Sequence, residues 1–156
     1  MNTEIKTRPS GDYVHGLFLQ EPARRLRLSS DMLLVVKWIV DHIENDDLDY
    51  RGDGYGGRFF IVDYSNILHD LPILTINRRT LQKKWVAELV TKNVLARMPI
   101  HEGIGTCTGI ALGCVCRELL PADKMTNRIQ EAITSQIKPS QYPNMTHTDK
   151  TGVTHE

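Results

Sequence analysis

The segment from Asp70 to Pro99, DLPILTINRRTLQKKWVAELVTKNVLARMP, constrains the fold more than any other part of the chain. Leu81, Trp85 and Leu89, together with Val86 and Val90, fall on one side of a helical wheel. Thr80, Lys83, Lys84 and Ala87 gather on the other side, with Arg78 and Arg79 in the first turn. Asn77 is the expected N-cap. Asn93 stands where a helix closes on a left-handed residue, which asparagine tolerates better than most. The apolar face is expected to dock into a domain and leave a cationic face free. Arginines at the helix start oppose the positive end of the macrodipole, and a phosphate partner would offset that cost of a few tenths of a kcal/mol.

The flanking elements follow from the same rules. Tyr13–Gln20 reads as short and extended, and Glu21–Leu28 as a short helix with Pro22 at its start. Ser29 or Ser30 caps a long helix to about Ile43, with Met32, Val35, Val36, Ile39 and Val40 along one buried face. Arg58–Asp63 (RFFIVD) reads as a buried strand, being β-branched and aromatic between polar brackets. Ser65 is expected to cap a short helix that stops before Pro72. VLARMPI and TCTGIALG read as the two strands of a hairpin around HEGIG. Asp123 is expected to cap a helix through roughly Ile137, with Met125, Ile129, Ala132, Ile133 and Ile137 as its stripe.

These elements predict an α+β, helix-rich fold in the order of a winged helix-turn-helix domain. Residues 1–12 are expected to be a flexible N-terminus, 13–120 the winged-helix domain and 121–138 a C-terminal helix. From 139 to 156 there is little apolar surface to bury, and a disordered tail is expected. The C-terminal stripe suits either core packing or a homodimer interface.

Charge is segregated. Lys plus Arg and Asp plus Glu number nineteen each, so the net charge is zero and no global field attracts polyanions. Between Asp41 and Gly57, six carboxylates against Arg51 leave −5, whereas between Arg78 and Arg97 six cations against Glu88 leave +5. Aromatic residues are 6% of the chain, too few for an evident stacking platform for single strands. An odd set of three cysteines (Cys107, Cys114, Cys116), with neither a leader nor a long apolar run, favours a reducing cytoplasmic setting and no membrane.

The region around 14–112 resembles the winged helix at the front of phage and plasmid replication initiators of the replisome-organizer type. The matching residues are Leu71-Pro72, Thr80, Leu81, Leu89 and NVLAR (Asn93–Arg97). Upstream, LFLQEPARRLRLSSDMLLVVKWIVDHI and RFFIVDYSNILHDLP are similar to that family's elements leading into the turn. Asn93 stands in place of the usual glycine, and the hairpin tip IHEGIG lacks the lysines or arginines usual in a DNA-contacting wing. The resemblance implies a non-enzymatic protein that binds double-stranded DNA in replication initiation or transcription control.

Thr75, Asn77, Arg78, Arg79, Gln82, Lys83 and Lys84 are the candidate DNA contacts. Arg79, Lys83 and Lys84 suit phosphates, Arg78 and Gln82 base edges, and Thr75 and Asn77 phosphate at the helix start. The rival reading is an adaptor or DNA-mimicking inhibitor that uses Asp46, Asp47, Asp49 and Asp53 against a basic protein partner. No cofactor or metal is expected. The C-x-C pair lacks zinc-knuckle spacing, Arg51 spoils the calcium-loop pattern at Asp49–Gly54, and no Gly-Lys-Ser/Thr follows the glycines.

Overall fold

The computed structural model describes residues 14–15, 17–52, 57–103 and 105–134. The expected flexible N-terminus and disordered tail, the tip residue Ile104, and Asp53 lie outside them. Within them the fold is α+β. A short hairpin, β1 (Val14–His15) and β2 (Phe18–Leu19), leads into α1 (Gln20–Arg25) and the long α2 (Ser30–Glu44). Next come β3 (Tyr50–Gly52), β4 (Arg58–Val62) and α3 (Tyr64–Asp70). The basic helix α4 runs in three pieces, Arg78–Thr80, Leu81–Val86 and Ala87–Thr91. It is followed by β5 (Leu95–Glu102), β6 (Gly105–Leu112) and α5 (Cys116–Leu119). A 3-10 turn (Ala122–Lys124) and α6 (Asn127–Ala132) complete the order.

Four antiparallel strands pair in the order β3-β4-β6-β5. Alternation along them sorts the side chains to two faces. Phe60, Val62, Ile110, Leu112 and Leu95 enter the main core with Val35, Val36, Ile39 and Val40 of α2. Phe59, Ala96, Met98, Ile100 and Ala111 form a second buried cluster on the opposite face. Gly109 belongs to that face, and a Cβ there would lie 2.7 Å from Cδ1 of Ile100, so the cluster closes over a residue without a side chain.

The described residues at the far end of the β5–β6 hairpin are exposed, and one ion pair ties this end to the edge strand. Arg51 of β3 donates through Nε and Nη2 to the carboxylate of Glu102 at the end of β5, the second bond being 3.1 Å. Two strands separate β3 from β5, about 14 Å of sheet at the usual spacing, so the hairpin must coil for this pair to form. The expected glycine-bearing tip is therefore held back towards the sheet edge.

Caps explain where the helices begin and end. Ser29 caps α2, its Oγ accepting from the Met32 amide at 3.2 Å. Asp63 caps α3, accepting from the Ser65 amide at 2.9 Å. This corrects the expectation that Ser65 is the cap: a carboxylate two positions upstream takes the role. The acidic loop is also not loop throughout, since Tyr50–Gly52 pairs with Arg58–Phe60 as an edge strand.

The end of the chain departs further from expectation. Thr126, not Asp123, caps the last helix, its Oγ1 accepting from the Ile129 amide at 3.4 Å. That helix stops at Ala132, because Ile133 is extended and bridges Leu112 while the Thr134 amide donates to the Leu112 carbonyl at 2.9 Å. Pairing with the sheet outcompetes helix continuation. Ile129, Ala132 and Ile133 are buried in the main core, in line with the core-packing reading of this stripe, and Met125 packs against it in part. Ile137 lies outside the described residues.

Candidate nucleic-acid interface

α4 is pinned at both ends. Asn77 accepts from the Thr80 amide at 2.8 Å, the expected cap. At the other end Asn93 has φ of 62°; its amide donates to the Val90 carbonyl and the Val94 amide to the Leu89 carbonyl. These two bonds are a Schellman closure, and asparagine there bears the left-handed conformation at modest cost. Gly113 is wedged against this closure. A Cβ on it would fall inside contact distance of the Asn93 carbonyl, so the helix end and the base of β6 approach as only glycine allows.

Between these pins the helix is not α throughout. Leu81–Val86 is a π turn, widened to i→i+5 bonding. The consequence appears at once in burial. Leu81, Val86 and Leu89 are fully buried, whereas Trp85 is half-buried at the edge of the core. In an α-helix, positions five apart diverge by about 140°, and a π turn brings them closer to line. Trp85 and Val90 pack against the same core as Leu81, Val86 and Leu89, as expected of one apolar side, but Trp85 is buried only in part.

Arg78, Arg79, Lys83 and Lys84 lie in the first half of this helix. All four are exposed, as are Thr75 and Asn77, while Gln82 is half-buried. Among the described residues, Arg78, Arg79, Lys83 and Lys84 have no acidic partner within ion-pair distance. The other two cations counted with them are engaged. Lys92 pairs with Glu88 at 2.6 Å, and Arg97 donates to the Gln82 carbonyl at 3.0 Å, tying β5 to the wide turn. Sequence reasoning grouped six cations; the geometry leaves four facing solvent in the first half of the helix.

The acidic region differs. Asp41 pairs with Lys37 at 2.7 Å, and Asp46 with Arg128 at 3.2 Å. Asp49 lies close enough for its charge to act on Arg51, whose pKa is raised mainly by its hydrogen bond to Glu102. Asp47 is exposed, and its amide donates to the His42 carbonyl.

Behind the turn that precedes α4, three groups fasten α2 to α3. Trp38 Nε1 donates to Asp70 Oδ2 at 2.8 Å, and His42 stacks on Trp38 with ring centroids 3.9 Å apart. The Trp38 hydrogen bond, aided by His69, holds the Asp70 carboxyl below the usual range. This network positions the helix pair, and the sequence carried no signal for it, since its members lie 32 residues apart.

Cys116 is a buried structural thiol, pushed up to about 12 by burial, and donates to the Val94 carbonyl at 3.2 Å. Among the described residues no group of three or more His, Cys, Asp or Glu side chains could hold a metal ion. No helix among them is long and apolar enough to cross a membrane.

Comparison with protein-family models, with curated proteins and with solved structures finds no match.

Proposed function

We propose that this protein is a non-enzymatic DNA-binding protein of winged-helix type that presents the first half of α4 to double-stranded DNA. One observation carries the reading: four exposed cations without acidic partners stand together on a helix that a cap, a Schellman closure and an apolar inner face hold rigid. Clustered like charges without partners repel one another, and phosphates are the anions that relieve such a cluster. The order long helix, two strands, helix, helix, hairpin, with β4 pairing to the second hairpin strand, supports the winged-helix assignment, although β3 is an addition to it. Together with the resemblance to phage and plasmid initiators, it supports a role in replication initiation or transcription control for a mobile element. Contact through the hairpin tip is not part of the proposal, since Glu102 is engaged by Arg51.

The test is a fluorescence anisotropy titration with a random-sequence duplex at several salt concentrations. Three phosphate contacts, by Arg79, Lys83 and Lys84, give a log–log slope of about −2.7, or a loss of roughly fortyfold in affinity between 50 and 200 mM salt. A flat salt response or no binding refutes the proposal. The rival protein-binding reading, through Asp46, Asp47, Asp49 and Asp53, draws on the exposure of Asp47. It has less support, because Asp46 is already paired with Arg128.

A further inference from the structure

Carbonyls inside a helix are engaged along the helix itself, so a side chain from another element that bonds to one is a specific fastening. Among the described residues one such bond reaches the interior of α4: Arg97 Nη1 donates to the Gln82 carbonyl at 3.0 Å. It lands within the wide turn Leu81–Val86, and π turns occur frequently at functional sites.

The fold holds Arg97 in place for this bond. It lies in β5 opposite Ile110 of β6, between the buried Ala96 and Met98. Alternation puts it on the face of Leu95, which enters the main core, so its stem runs back towards the helices. Arg97 is half-buried and, among the described residues, has no acidic partner within ion-pair distance. A half-buried guanidinium without a counter-charge, set against the turn that carries Lys83 and Lys84, is placed at an electrostatic cost. The bond to Gln82 is what that placement secures.

Gln82 differs from its neighbours. It is half-buried between the fully buried Leu81 and the exposed Lys83, and among the described residues its side-chain amide has no hydrogen-bond partner. Such an amide offers a donor and an acceptor side by side, the pattern that pairs with N6 and N7 of adenine in the major groove.

We propose that Arg97 is a positioning residue for base readout: by fastening the Gln82 carbonyl to β5, it fixes the backbone from which the Gln82 amide meets an adenine edge. This inference rests on the DNA-binding reading and deepens it from charge to sequence.

The probe is a duplex selected by the parent protein from a randomised pool, with the pool itself as reference. Selected duplexes should share an adenine, and Gln82→Ala should lower the ratio of selected-duplex to pool affinity about fivefold or more. Arg97→Met, which keeps the apolar stem, should lower that ratio to a similar extent and leave the salt slope on the pool as in the parent. Arg97→Gln takes its place, with the same expectations, should Arg97→Met fail to fold. The double variant with Gln82→Ala should lose little beyond either single one, because both act through one contact. Arg97→Lys, which keeps a charged donor, should recover part of the ratio.

A pool slope shallower by about one for Arg97→Met would make Arg97 a phosphate contact and overturn the inference. An unchanged ratio, or losses that multiply in the double variant, would overturn it as well. If Arg79→Ala weakens pool binding while the Arg97 variants leave the ratio unchanged, the positioning role falls and the DNA reading stands. If the parent shows no salt-dependent duplex binding, both fall.

Discussion

The basic half of α4 and the acidic stretch from Asp41 to Asp49 carry opposite charge of similar size, yet the fold treats them differently. In the acidic stretch Lys37 and Arg128 meet Asp41 and Asp46, and the charge of Asp49 acts on Arg51. In α4, Glu88 is drawn to Lys92 at the far end, and Arg78, Arg79, Lys83 and Lys84 face solvent unpaired. A charge count made them mirror images. What distinguishes them is where the counter-charges lie: two of the five described carboxylates in the acidic stretch are ion-paired, whereas none of the four cations in the first half of α4 is.

The largest expected effect sharpens this comparison through stability. Leu89 is fully buried on the inner face of α4, so Leu89→Ala should cost about 2–5 kcal/mol by chemical denaturation. Trp85→Ala should cost clearly less than Leu89→Ala, because Trp85 is half-buried. Equal or reversed costs would mean that the wide turn does not set the buried line.

The next effect is on binding. Replacing Arg78, Arg79, Lys83 and Lys84 together by alanine should abolish salt-dependent duplex binding in anisotropy and leave the melting temperature nearly unchanged, since exposed, unpaired side chains support little structure. Loss of fold in that variant would mean the four cations are structural and the comparison misdrawn.

A smaller effect concerns acid. The Asp70 carboxyl sits below its ordinary value of 3.8 because Trp38 donates to it, with His69 assisting. A lowered folded pKa means that the ionised form stabilises the fold above the unfolded value, and that this is lost as the pH falls through the folded one. Asp70→Asn should flatten the decline in stability below about pH 4, read by Trp38 fluorescence during denaturation. An unchanged acid limb would exclude the Asp70 link.

The smallest effect tests the other side of the comparison. The Asp46–Arg128 pair is exposed, with side-chain exposures of 67% and 51%, and such pairs contribute roughly 0–1 kcal/mol. Neutralising Asp46, Asp47 and Asp49 should therefore barely move the melting temperature and leave duplex binding equal or tighter. Weaker DNA binding in that variant would show that the acidic stretch supports the interface after all.

Much of this was legible in the sequence where a local rule decides the outcome. The Met32–Val40 stripe, the Asn77 cap, the Asn93 closure and the two hairpin strands each follow from spacing or from one residue's backbone preference. What was not legible depends on distant partners. β3 has three exposed residues and no alternation, and it exists because Phe60 and its neighbours offer an edge. Ile133 leaves the helix because Leu112 is there to pair with. The cations from Arg78 to Arg97 were visible as a group; which of them stay free was decided by Glu88 and the Gln82 carbonyl.

The π turn has a consequence for how this helix could be altered. Inserting one residue into an α-helix whose ends are free lengthens it and rotates everything beyond. Here neither end can rotate: Asn77 is capped, and the closure at Asn93 is wedged against Gly113. A surplus residue in such a helix has nowhere to go but outward, as a local widening. Leu81–Val86 has the form of such a widening. Deleting one residue within it should therefore return an unbroken α-helix between the same two ends, with Trp85 buried more deeply.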